Sequence, residues 1–442
     1  MIIQTPFATV ENNELYIDGV RAVDLAKKYG TPLYVMSEGH IRHQMNELKT
    51  EFMDKFENVL PLFASKAFSC LEIYRLAKEY GIGIDCVSAG EISMALRAGF
   101  DPQKIYFHGN NKLPSEMVYA VEHNVTHFVV DNFYELELIE KLADRPVYAT
   151  VRVTPGIEAG GHRFIMTAAT DTKFGFSTHD GSHFKAIEQI LKSEKIKFEG
   201  IHCHIGSQVF EIEKYEQAME KFVEIAYEIY DRFGVVISKL NAGGGYGIAY
   251  THDDKPLDFK VITERIMEII TAGFEKRGWK RPMVLIEPGR YVVGNAGITL
   301  YTVGSIKDIP GIRKYVSVDG GMSDNIRTAL YGAEYEAVIA DRAESKPEET
   351  VCISGKNCES GDILIHEIRL PKIHSGDILA MFSTGAYHYT MSSNYNQLPK
   401  PAIVFTYQGK AKQVVRRQSF DDLVACDVEE QYEDVAQPDL KK

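Results

Sequence analysis

Between residues 57 and 290, short apolar, β-branched runs alternate with amphipathic helical stretches, and no other feature of the chain limits its fold so tightly. The strand candidates are Val59–Ser65, Gly83–Val87, Lys104–His108, His127–Asp131, Val147–Val153, Phe198–His204, Ile237–Asn241 and Met283–Glu287. Between them apolar residues recur at helical spacing, as in Leu71–Tyr80, Gly90–Gly99, Ser115–His123, Tyr134–Ala143, Phe184–Lys192, Tyr215–Phe233 and Phe259–Lys276. A strand that is followed by a helix and then another strand builds a parallel sheet with crossover helices. Eight such units in this span predict a closed (β/α)8, TIM-like barrel. A doubly wound open sheet is the structural alternative.

The pattern changes near residue 295. Strands and turns follow with few helices: Ile298–Ile306, Tyr315–Val318, Thr350–Ser354, Leu364–Leu370, Asp377–Phe382, Ala402–Tyr407 and Gln413–Arg417. The first residues are also strand-like, at Ala8–Glu11 and Glu14–Ile17. The expected division is a barrel over 31–295 and a mainly antiparallel β domain over 1–30 plus 296–442. A chain of 442 residues, 45% hydrophobic, has ample length for two such cores.

A formal net charge of −13, with no Lys/Arg cluster, argues against a nucleic-acid surface. The start MIIQTPFATVENNEL has no basic segment leading into an apolar one, and no stretch approaches the length of a membrane span. The six cysteines form no CxxC pair, so reduced thiols and a cytoplasmic location are expected.

In a barrel, functional groups gather where strands end and the following loops begin. Lys66, Asp85, His108, Asp131, Arg152, His204, Gly243–Gly245 and Glu287–Arg290 all fall at such places. Lys66 closes an almost wholly apolar run, Leu60–Phe68, and is either a snorkelling side chain or a desolvated amine kept for Schiff-base chemistry. Gly243, Gly244 and Gly245 follow the seventh strand, where converging backbone N–H groups can hold a phosphate; a glycine turn without a ligand is equally compatible. In Glu287-Pro288-Gly289-Arg290 the acid and the arginine either pair with each other or serve a heterocyclic nitrogen and a phosphate. His202 and His204 share one face of a strand, but no third ligand has suitable spacing, so no metal is expected. Stacking of an imidazole on a flat cofactor fits better, with Ser207 as a phosphate donor. An amine, a phosphate cradle, an acid for a ring nitrogen and a flat group together describe a pyridoxal 5'-phosphate site.

The motifs FASKAF (63–68), DCVSAGE (85–91), HGNNK (108–112), HCHIGSQ (202–208), GGGYG (243–247), EPGR (287–290), DGGMSDNIRTALY (319–331), CESGD (358–362) and TGAYHYTMSSNYN (384–396) cover nearly the whole chain. In them the chain resembles the barrel-type (fold type III, alanine racemase-like) pyridoxal phosphate decarboxylases of basic amino acids, and within these the diaminopimelate branch. The ornithine-type enzymes carry an aspartate after the cysteine, whereas this chain has Cys358-Glu359. Many relatives read YAVKAN around the lysine where this chain reads FASKAF.

The resemblance implies that Lys66 forms the Schiff base with the cofactor and that His204 stacks on its ring. Ser207, Gly243–Gly245, Pro288, Gly289 and Arg290 would hold the phosphate, and Glu287 the pyridine nitrogen. It also implies that Arg290, Arg327, Tyr331, Glu359 and Tyr387 grip the substrate, Tyr387 lying near the phosphate as well, and that Cys358 donates a proton after carbon dioxide leaves. Cys358 and Glu359 would come from the second subunit of a homodimer. The implied reaction converts meso-2,6-diaminopimelate to L-lysine. The rivals are a decarboxylase of ornithine, lysine, arginine or carboxynorspermidine, a non-catalytic regulatory homologue and a racemase. Pro155–Asp171, rich in glycine and threonine, is a candidate lid.

Overall fold

The computed structural model of the chain describes residues 7–156 and 172–429. Each of the eight strand candidates forms a strand, within two residues at either end: Val59–Ala64, Gly83–Cys86, Ile105–Phe107, His127–Val130, Val147–Thr154, Ile196–His202, Lys239–Asn241 and Met283–Ile286. Each pairs in parallel with the next. The eighth returns to the first, with Val284, Leu285 and Ile286 opposite Val59, Leu60 and Pro61. That last pairing closes the barrel and excludes the open sheet.

Strand periodicity sorts the side chains. In the first strand Leu60 and Leu62 point inward to meet Tyr106 and Leu285, whereas Phe63 points outward into the helical layer with Ile73 and Tyr74. Both faces are therefore dry, which explains the continuous apolar run. The helices begin at polar caps close behind the strand ends. Ser88 Oγ accepts from Glu91 N at 3.3 Å while Glu91 Oε2 accepts from Val87 N at 2.7 Å. Asn132 Oδ1 accepts from Glu135 N at 3.1 Å. Such caps contribute about 1 kcal/mol each and keep the connecting loops short.

The second sheet is mainly antiparallel. Gly297–Ile309 runs through it, flanked by Arg313–Val318, Ile378–Met381 and Leu33–Ser37. Two of its pairings are parallel: Arg313–Val318 with Glu349–Ser354, and Leu33–Ser37 with Ala402–Tyr407. Leu33–Ser37 thus lies in this sheet, not in the barrel whose expected range of 31–295 includes it. All five of its residues are buried, as in a barrel strand, and only its distant partners reveal the difference. Ala8–Glu11, Glu14–Ile17 and Val20–Arg21 make a separate small sheet. Its residues Ala8, Leu15 and Ile17 share a core with Leu33, Val35, Ile298 and Leu300.

The β domain reaches the C-terminal ends of the barrel strands through the segment around Tyr387. Gly385 N donates to Gly294 O at 3.0 Å and Tyr387 N to Ala67 O at 2.7 Å. Thr390 Oγ1 donates to Lys66 O at 3.0 Å.

Candidate active site

The first strand ends in a single 3-10 turn, Ser65–Ala67, which presents Lys66 to a cavity of about 510 Å³. Ser65 Oγ donates to Asp85 O at 2.7 Å and ties this turn to the second strand. The cavity brings together Lys66, His204, Ser207, Glu287, Arg290, Arg327, Tyr331 and Tyr387, which were expected from sequence. A narrow extension of about 50 Å³ also touches Gly245 and Gly289. The loop residues Asn110, Asn111 and Phe174, and Met391, line it too. Asn110, Asn111 and Met391 lie within the motifs HGNNK and TGAYHYTMSSNYN but had been given no role, and Phe174 lies in none of the motifs.

The Lys66 amine differs from its expected state. Desolvation pushes it down, but the negative charges of Asp85 and Glu287, with the Tyr387 phenol, outweigh that effect and hold it above the ordinary lysine value. In this cavity Lys66 is an ammonium, not a neutral nucleophile. The largest raising influence is the second-strand acid Asp85, nineteen residues away in sequence.

Glu287 does not pair with Arg290. Its Oε1 accepts from Asn241 Nδ2 at 2.6 Å and lies 3.1 Å from His108 Nε2; its Oε2 is 3.2 Å from His202 Nε2. Burial alone would push this carboxyl up, but His202 and His108 hold it well below the usual carboxylate range. Burial in turn pushes His202 down, so it faces Glu287 as a neutral imidazole. The third group that spacing did not supply beside His202 is therefore present: His108, His202 and Glu287 bring ligand-type atoms within 4.8 Å of one another. Here the imidazoles and Asn241 surround a single carboxylate, and His204 faces elsewhere.

His204 accepts a hydrogen bond at Nδ1 from Gly244 N, 3.1 Å away, which leaves its proton on Nε2. Burial and the nearby Lys66 push it well below the ordinary value, so the ring is neutral. The glycines are dictated by close approach. A Cβ on Gly243 would come 2.3 Å from Cys203 O, and one on Gly244 would come 2.4 Å from Glu287 O. Asn241 Oδ1 fixes the same loop by accepting from Gly243 N at 3.0 Å.

Arg290 donates through Nη2 to Ser207 Oγ at 2.8 Å and through Nη1 to Tyr250 Oη, while its buried Nε has no partner among the described residues. Arg327 opens the helix Arg327–Tyr331, with its guanidinium 5.2 Å from the Tyr331 ring. Tyr387 reaches the cavity from a left-handed backbone, φ 63°. Among the described residues neither arginine makes an ion pair. Cys358 and Glu359 are not brought to this cavity. Both are exposed on the loop after Glu349–Ser354, where Asn396 Oδ1 accepts from Cys358 N at 2.8 Å. Residues 157–171 of the candidate lid lie outside the described residues.

Comparison with known proteins gives the same picture over the whole length. The family described as pyridoxal-dependent decarboxylase, pyridoxal binding domain, matches residues 38–294. The diaminopimelate decarboxylase of Bacillus subtilis (strain 168) is 47% identical over 95% of this chain and 96% of its own. That of Staphylococcus aureus (strain COL) is 44% identical over 94% and 98%. The chain belongs to the diaminopimelate decarboxylase family. The solved structure of the M. jannaschii diaminopimelate decarboxylase in co-complex with L-lysine superposes with a TM-score of 0.90 at 33% identity, covering 96% of this chain and 98% of that one. The fold is type III.

Members of this family are pyridoxal-dependent, and the cavity suits that cofactor. A buried guanidinium whose Nε has no hydrogen-bond partner among the described residues, beside Ser207 and Gly245, is suited to hold a phosphate. A buried carboxylate held well below the usual range by His202 and His108 is suited to a protonated ring nitrogen. A neutral imidazole with a fixed tautomer offers a flat face, and Lys66 opens onto the same space.

Proposed function

We propose that this chain decarboxylates meso-2,6-diaminopimelate at its D centre, releasing carbon dioxide and L-lysine, the last step of lysine biosynthesis. The full-length relatives named diaminopimelate decarboxylase support the reaction. The observation that carries the substrate choice is Arg327. Its guanidinium is buried, lines the cavity that holds Lys66, and has no carboxylate partner among the described residues. A second carboxylate on the substrate would satisfy it.

Bound pyridoxal phosphate supplies a carbonyl carbon that captures the substrate amine and a protonated ring that takes up the electron pair left when the carboxylate departs. Lys66 Nζ, which opens onto the cavity, would hold the cofactor at that carbonyl carbon. Glu287 keeps the proton on the ring nitrogen, and its three neighbours keep Glu287 ionised for that task. His204, its tautomer fixed by Gly244 N, would offer its flat face to the ring. Ser207, Gly243–Gly245, Pro288, Gly289 and Arg290 hold the phosphate, with Tyr387 alongside. Arg290, Arg327, Tyr331, Glu359 and Tyr387 hold the substrate.

Cys358 Sγ delivers the proton that replaces carbon dioxide on the substrate carbon. In the single chain Cys358 and Glu359 are exposed and away from Lys66, which supports a homodimer in which each copy completes the other's site. All six thiols are free, as suits a reducing compartment, and we place the enzyme in the cytoplasm. Among the described residues no helix is long and apolar enough to cross a membrane.

Parallel incubation with the meso isomer, the L,L isomer and ornithine, followed by carbon dioxide release, tests the reading. Release from the meso isomer is expected to exceed that from the other two by about a hundredfold or more, because ornithine leaves the buried guanidinium unpaired and the L,L isomer lacks the D centre. Equal release from ornithine would replace this function with a polyamine-pathway decarboxylation.

A further inference from the structure

Arg327 is held from behind by a residue that none of the functional motifs contains. The helix Arg327–Tyr331 stops at Gly332, whose left-handed conformation (φ 62°) turns the chain back on itself. The return brings Tyr335 against the start of the same helix. Arg327 Nε donates to Tyr335 Oη at 3.1 Å, with both residues buried. A guanidinium has five N–H groups in a fixed plane, so fixing Nε fixes the direction of the Nη edge.

Tyr335 is braced in turn. Its ring meets that of Tyr250 edge to face, centroids 5.6 Å apart at 79°. Tyr250 Oη accepts from Arg290, the other cavity arginine. A His388 ring packs against Tyr335 from another side, 5.4 Å away, and burial keeps it neutral. Both guanidiniums also flank the Tyr387 ring, at 4.8 Å for Arg290 and 5.5 Å for Arg327. Two unpaired, buried positive charges thus share one cluster of rings, and their mutual repulsion is resisted by a phenol oxygen on each.

We infer that Tyr335, braced by Tyr250, is a positioning residue for specificity: it aims Arg327 at the distal carboxylate and sets its separation from Arg290. The inference rests on the proposed reaction, in which Arg327 meets the carboxylate of the substrate's L centre. A substrate is then measured between two guanidiniums whose spacing the tyrosine pair maintains. Loss of the Tyr335 hydroxyl would leave Nε buried without an acceptor and release the Nη edge, while leaving the ring packing in place.

L-lysine retains the distal carboxylate and cadaverine lacks it, so their binding to the holoenzyme, measured by calorimetry without turnover, reads this contact directly. The wild type should bind L-lysine more tightly than cadaverine. Tyr335→Phe should weaken L-lysine about tenfold and leave cadaverine unchanged. Tyr335→His, whose shorter ring cannot reach Nε, should do the same and serves if the first variant does not fold. In an Arg327→Lys background the Tyr335 change should add nothing, because it acts through Arg327. A wild type that binds cadaverine as well as L-lysine would overturn the distal-carboxylate reading and this inference with it. A discriminating wild type whose Tyr335 variants lose both ligands equally, or neither, or lose L-lysine additively with Arg327→Lys, would overturn the inference alone.

Discussion

At the scale of single residues, the charge state of the site is set by groups brought in from different strands. Asp85 raises Lys66, and His108, His202 and Asn241 converge on Glu287. The Glu287 carboxylate is depressed, so its ionised form is complete above the ordinary carboxyl range and is lost only as pH falls through its lower folded value. Activity that declines in mildly acidic solution therefore does not report Glu287. Its replacement does: Glu287→Ala should lower kcat by about a hundredfold or more, while cofactor retention, read from the visible absorption, changes far less. Near-normal turnover in that variant would reduce Glu287 to a structural acceptor for the two histidines. Lys66, Asp85, His108, His202 and Glu287 were singled out by their strand-end positions and motifs, whereas Asn241 was not. Their partners and protonation were not legible, because Glu287 could be matched with adjacent Arg290 in sequence, whereas its true neighbours lie up to 179 residues away.

At the scale of elements, the eight barrel strands were legible because two dry faces demand a continuous apolar run and each helix has its own stripe and cap. Leu33–Ser37 shows where that reasoning stops: its buried run is as apolar as a barrel strand, and non-local pairing alone assigns it to the other sheet. The glycine loop is a second case. Its sequence suggested a phosphate cradle, yet the geometry shows that Gly244 is also required by the backbone of Glu287, 2.4 Å from where a Cβ would sit. Gly244→Ala must therefore push the ends of the seventh and eighth strands apart. It should destabilise the protein by about 3 kcal/mol and abolish activity. Gly278→Ala is the control. There φ is +73° but nothing lies within 4 Å, so it carries only left-handed backbone strain, about 1 kcal/mol, and should stay active. Thermal unfolding and turnover of the two variants separate crowding from strain; equal losses would mean that the tight contact relaxes easily.

At the scale of the whole molecule, one chain brings most groups proposed to hold the cofactor to its own cavity but leaves the proposed proton donor, Cys358, away from it. The barrel gathers Lys66, His204, Glu287 and Arg290 at one end, and the β domain adds Arg327, Tyr331 and Tyr387 to the same cavity. Its remaining motif, Cys358-Glu359, stays on an exposed loop. That loop is firmly built: Asp362 accepts from Met322 N at 2.6 Å and from Asn357 N at 2.7 Å. A loop so anchored is poorly suited to fold back to its own cavity, whereas a two-fold partner can receive it without rearrangement. Lys66→Ala and Cys358→Ala should each be inactive alone. Mixed in equal amounts and allowed to exchange subunits, half the dimers become hybrids. Each hybrid has one site with both defects and one with neither, so activity should return to about a quarter of the wild-type level. Recovery is the decisive measurement, because two variants defective in one self-contained site cannot complement. No recovery, with exchange demonstrated by differently tagged subunits, would place Cys358 in its own chain's site and require that loop to move.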